Sequence, residues 1–183
     1  MRTILFNQRA KKYLKKHPRK RRFVTYEKSE NILLLFESDG SNNEQIKNIV
    51  KTLQNDRKNV VALGFSSAKQ LVESDLLEIK LFNKKSIDFF QKPEKAIFNK
   101  IKSTKFDLLI DLSEDTLIPL MYISLLCDAT MKISTKIIEP QLFDFILNVK
   151  HQNNKKSNEK STINEQFIFD EIIFYLKSIQ TTD

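Results

Sequence analysis

The chain has 183 residues, of which 31 are Lys or Arg and 23 are Asp or Glu, for a formal charge of +8, and 40% are hydrophobic. That apolar content excludes an acidic disordered chain, and two glycines with four prolines exclude a collagenous or Gly/Ser-rich one. The length suits one ordinary domain, and a single cysteine, Cys127, excludes an internal disulfide and points to a reducing, cytoplasmic compartment.

Charge is concentrated at one end. Residues 1–22 hold ten basic side chains and no acid, whereas the remaining residues carry 21 bases against 23 acids. Phe6, Ala10, Tyr13 and Leu14 fall at helical spacing, so residues 2–16 read as a helix with one narrow apolar stripe and a basic remainder, ended by Pro18. The division that follows is a basic amphipathic helix and charge run over 1–22 and a single α/β domain over 23–183. The segment Ile4-Leu-Phe6 is too short for a secretory h-region, and no apolar run approaches the ~18 residues a membrane-crossing helix needs.

Asn31–Glu37 is apolar on both faces, the signature of a strand inside a parallel sheet covered by helices on each side. Ser38-Asp39-Gly40 is a turn, and Ser41-Asn-Asn-Glu44 has capping-box spacing ahead of a helix whose Ile46, Ile49, Val50 and Leu53 keep one face apolar. A second buried strand starts at Asn59 and runs into Gly64-Phe-Ser-Ser67, completing a βαβ unit. Leu76, Ile79 and Leu81 suggest a third strand, and Pro93 suits the first position of the next helix, with Ala96, Ile97 and Ile101 inward. Lys105–Leu112 is a strand and residues 113–125 turn into a helix through Pro119. Residues 130–134 form a short strand with Lys132 on one side and Met131 and Ile133 on the other. Phe143–Val149 alternates enough for an edge strand, 150–160 has no apolar residue and reads as a flexible loop, and Ile163–Ile179 is a helix with a wide apolar face. That face should dock on the sheet or, alternatively, on a protein partner.

The expectation is therefore an open, mostly parallel α/β sheet flanked by helices, with a basic N-terminal helix and a C-terminal docking helix. In such sheets ligands bind where loops leave the carboxyl ends of the strands. The pocket residues on that rule are Asp39, Ser41, Ser66, Asp111 and Ser113, with Asp39 and Asp111 able to approach each other as a metal or acid-base pair. Asp107 reads as a strand-start residue and Cys127 as core.

With Gly40 and Gly64 as the only glycines, neither a dinucleotide fingerprint nor a P-loop can form, and no cofactor is implied. His17 and His151 lie in polar segments, away from any zinc or triad arrangement. The basic leader has the clearest chemical preference. Arg9, Lys12, Lys16, Arg19, Arg21 and Arg22 suit the phosphates of RNA or a ribonucleoprotein, or an anionic membrane surface, with Tyr13 available for stacking. The reading is a non-catalytic binding protein; the alternative is a small enzyme acting on a phosphorylated or glycosyl substrate at the strand ends.

Phe106-Asp-Leu-Leu-Ile-Asp-Leu-Ser113, Ile118-Pro-Leu-Met-Tyr-Ile-Ser124 and Ala129-Thr-Met-Lys-Ile133 resemble a bacterial domain-of-unknown-function family of this length, and the resemblance implies a Rossmann-like sheet without naming a catalytic residue. The same block is similar to part of the N-terminal domain of heptosyltransferase-type glycosyltransferases. Here Ser134 replaces that pattern's Gly, and a second, sugar-nucleotide-binding domain does not fit within 183 residues.

Overall fold

The computed structural model describes residues 2–40, 43–71, 75–148 and 164–179. Its elements in chain order are α1 (Arg2–Lys16), β1 (Asn31–Ser38), α2 (Asn43–Asn55), β2 (Asn59–Ser66), β3 (Ile79–Asn83), α3 (Lys95–Lys102), β4 (Phe106–Asp111), α4 (Ile118–Leu126), β5 (Ala129–Ser134), β6 (Phe145–Ile146) and α5 (Glu165–Ser178). The six strands form one sheet in the order β3-β2-β1-β4-β5-β6, every neighbouring pair parallel. This order reverses direction between β1 and β4, as in doubly wound sheets that carry helices on both faces.

Period-two alternation sorts the strand side chains into two cores. Ile32, Leu34, Phe36, Leu108, Ile110, Met131 and Ile133 face α2 and α5, which contribute Ile46, Ile49, Leu53, Ile168, Phe169, Ile172 and Leu176. Leu33, Leu35, Leu63, Phe65 and Leu109 face the opposite way, toward α1, α3 and α4. The apolar face of α5 thus docks on the sheet beside α2, as expected.

Helix α4 is buried all round from Ile118 to Leu125, so sheet contact alone cannot cover it. Helix α1 covers its outer side. Phe6 meets the Tyr122 ring edge-on with centroids 4.9 Å apart. Phe6 and Ala10 are the fully buried residues of α1, and burying a Phe side chain contributes about 1.5–3 kcal/mol.

Local signals account for the boundaries. Pro119 occupies the first turn of α4. Asn164 caps α5, its Oδ1 accepting from the Phe167 N–H at 2.8 Å. Helix α2 closes with N–H donation from Arg57 to Gln54 O and from Lys58 to Leu53 O, both 2.9 Å, and Arg57 takes the left-handed conformation at φ 60°. Gly64 is a packing glycine: a Cβ there would lie 2.5 Å from the Phe36 ring and from Leu81.

Two details depart from the sequence reading. Pro93 does not begin α3; it bridges to Ile87, and Glu94 becomes the N-cap of a helix that starts at Lys95. The last strand shrinks to Phe145–Ile146, because β6 pairs on one side only and follows just the end of β5. The Ser41 end of the capping box and the loop 150–160 lie outside the described residues.

Candidate functional site

Two regions carry the residues singled out above, one at each end of the strands. At the carboxyl ends, β4 delivers Asp111 and the turn after it delivers Ser113, each 1% exposed. The Ser113 backbone N–H and hydroxyl both donate to Asp111 Oδ1, at 3.1 and 2.6 Å. Lys136, two residues beyond β5, places its ammonium 2.8 Å from Asp111 Oδ2, 2.6 Å from Ser113 Oγ and 2.7 Å from the Ser113 carbonyl oxygen. A buried carboxylate thus receives an ammonium and a hydroxyl, and Asp111, Ser113 and Lys136 form one buried cluster.

Asp39 is exposed just past β1. The side chain paired with Asp111 is Lys136. Ser66 is buried, its hydroxyl accepting from the Ala68 N–H at 3.2 Å. Ser41 lies outside the described residues. The neighbourhood is acidic: burial first, then Asp115 and Asp39, pushes the Glu37 carboxyl up, Lys136 opposes this, and Glu165 adds to it. Among the described residues no group of three or more His, Cys, Asp and Glu stands together as a metal site.

At the other end of the strands, the basic leader divides into committed and uncommitted cations. Arg19 donates to the carbonyl oxygens of Ala129 and Thr130, at 2.6 and 3.0 Å, and forms an ion pair with Asp144, with which Arg21 also pairs at 3.3 Å. Asp144 further accepts the Lys132 backbone N–H at 2.9 Å. These two arginines fasten the end of α1 to β5 and to the approach to β6. Arg9 lies over the Phe90 ring at 4.0 Å and reaches the Tyr122 hydroxyl at 3.4 Å. By contrast Lys11, Lys12, Lys15, Lys16, Lys20 and Arg22 are exposed and make no ion pair with the described residues.

Three of these cations, Lys16, Lys20 and Arg22, border a hollow of about 800 Å³ between the end of α1, the residues after it, the end of α4 and the start of β5. Tyr13 and His17, stacked with ring centroids 4.5 Å apart, line it. So does Cys127, whose thiol burial pushes up to about 12, a core position without nucleophilic character. Lys132 reaches it from β5. Burial, with Arg19 beside it, pushes the Lys132 ammonium down to about 8.

Three contributors to these sites, Lys132, Lys136 and Asp144, are not among the site residues read from the sequence. Lys132 left a trace there. Its alternation with Met131 and Ile133 sets it on the opposite face of β5, and in a sheet covered on both sides that face is also buried. Lys136 and Asp144 sit in loops, where no periodicity shows a partner. Asp107 is the strand-start residue expected, its Oδ2 accepting the N–H groups of Glu30 and Asn31 at 2.9 Å.

No helix in the described residues is long and apolar enough to cross a membrane. Residues 2–179 match the model of a family of unknown function (DUF6913). No curated protein and no solved structure matches the chain, so the likeness to heptosyltransferase-type enzymes gains no support.

Proposed function

The chain belongs to that family, and from its own surface we propose that it is a non-catalytic binding protein that holds RNA or another polyanion on the exposed basic side of α1 and the residues after it. The observation that carries this reading is the set of six exposed cations, Lys11, Lys12, Lys15, Lys16, Lys20 and Arg22, left without a carboxylate among the described residues. Solubility does not require so one-sided a field. Its direction is useful as well, because Glu37, Asp39 and Asp115 gather at the far ends of the strands, and an approaching polyanion is turned toward α1.

Each phosphate contact releases condensed counterions, which makes the reading measurable. A fluorescent single-stranded oligouridine should bind at 50 mM salt. With about five contacts it should lose roughly 100-fold in affinity by 200 mM, at a slope near −0.7 per contact. Lys12→Glu with Lys16→Glu should flatten that slope. Absent binding at 50 mM, or binding indifferent to salt, would remove the reading. Preference for anionic vesicles over oligouridine would replace it with a membrane surface.

A further inference from the structure

Lys132 is 4% exposed, and its ammonium donates to a single acceptor among the described residues, the Ser124 carbonyl oxygen at 2.5 Å. No described carboxylate pairs with it. A buried cation without a counter-ion is a costly arrangement, and folded chains ordinarily pair such a group or discharge it. This one stands in the wall of the 800 Å³ hollow and also borders a second hollow of about 230 Å³ alongside it. Two of its three N–H bonds have no protein acceptor among the described residues.

The rest of the wall has the same sign. Lys16, Lys20, Arg22 and Lys105 line the large hollow with Lys132, against Asp128 as the acid among its lining residues. Arg19 also lines it but is satisfied by Asp144 and two carbonyl oxygens. The volume falls within the range of small-molecule sites. The Tyr13–His17 stack and the adjoining Leu125 and Leu126 give it a flat and an apolar flank.

We propose that this hollow binds a small phosphorylated molecule of mononucleotide size, its phosphate taking the open N–H bonds of Lys132 and its remaining charge met by Lys16, Lys20, Arg22 and Lys105. A dianion suits so many cations better than a single carboxylate does. The proposal deepens the polyanion reading and rests on it for the sign of this face. Its central contact, Lys132, is separate from the exposed lysines that would carry a long polyanion.

The test uses the full chain with AMP as probe and adenosine as the uncharged control, by titration calorimetry at 50 mM salt. AMP should bind, and adenosine at least 10-fold more weakly. Lys132→Met should weaken AMP at least 10-fold while leaving oligouridine affinity within 2-fold, whereas Lys12→Glu should do the reverse. Lys132→Gln, which keeps a donor without charge, serves as second variant, and thermal melting verifies that both fold. The proposal is overturned if wild-type protein ignores millimolar AMP, if adenosine binds equally well, or if both variants retain AMP. Loss of oligouridine binding with AMP binding intact would instead sink the longer-polyanion reading alone.

Discussion

The Lys136 ammonium lies 2.8 Å from the Asp111 carboxylate, with the two side chains 8% and 1% exposed, and the Ser113 hydroxyl joins both. Three residues from two loops and one strand end are thereby locked together at the carboxyl ends of the neighbouring strands β4 and β5. The three side chains form a clamp between β4 and the segment after β5.

Lys136→Met should therefore destabilise the fold by about 3–5 kcal/mol, because Asp111 would be left buried without its ammonium. Adding Asp111→Asn to that variant should recover a substantial part of the loss. Denaturant midpoints of the wild type, both single variants and the double variant give the coupling directly. A Lys136→Met cost under about 1 kcal/mol would show that the pair contributes little.

Arg19→Met should cost about 2 kcal/mol, below the usual figure for a buried pair because Arg21 and the Lys132 backbone N–H still face Asp144. The loss should be local, appearing in hydrogen exchange as reduced protection in the last turns of α1. Lys at the same position should not rescue it, since one ammonium cannot span Ala129, Thr130 and Asp144 together.

Lys132 sets a pH dependence. Its folded ammonium loses its proton near pH 8 and the unfolded one near 10.5, so the unfolded chain binds more protons between those values and stability rises with pH across that window. Arg19 pushes in the same direction as burial, while Cys127, Asp144 and Asp128 oppose it. The Cys127 thiol, raised from 9.0 to about 12, works in the opposite sense above pH 9, so the measurement belongs in a Cys127→Ala background. There Lys132→Met should be more stable than its parent at pH 7, by roughly 1–3 kcal/mol, with the difference shrinking by pH 10. Equal stability at both pH values would show that the buried charge costs nothing.

Arg57 holds a left-handed conformation at the end of α2, where glycine carries no side-chain penalty. Arg57→Gly should stabilise the fold by about 1 kcal/mol, read as a higher melting temperature with no change in the helical circular dichroism signal.

The sheet was legible because its physics is periodic. Leu33 to Phe36 can sit only in a strand buried on both sides, and Ile46, Ile49, Val50 and Leu53 can share only a helix face. The ligand-facing chemistry was less legible. Arg19 and Lys16 are alike in a charge run, yet one is drawn inward by Asp144, a residue 125 positions away. Lys132 and Lys136 differ from surface lysines by their tertiary surroundings, and only the strand alternation at Lys132 hints at them. Pro93 misled for a local reason, since its fixed φ suits an extended bridge to Ile87 as well as it suits a helix start.

Helix α1 is supported by residues far along the chain: Arg9 and Tyr122 are 113 positions apart, Arg19 and Asp144 125. During ribosomal synthesis Phe6 lacks its Tyr122 contact until α4 has emerged, and the segment after α1 is not pinned until Asp144 follows. The finished body thus fixes Arg9 and Arg19 through residues that emerge late, while six of the ten cations stay exposed even then.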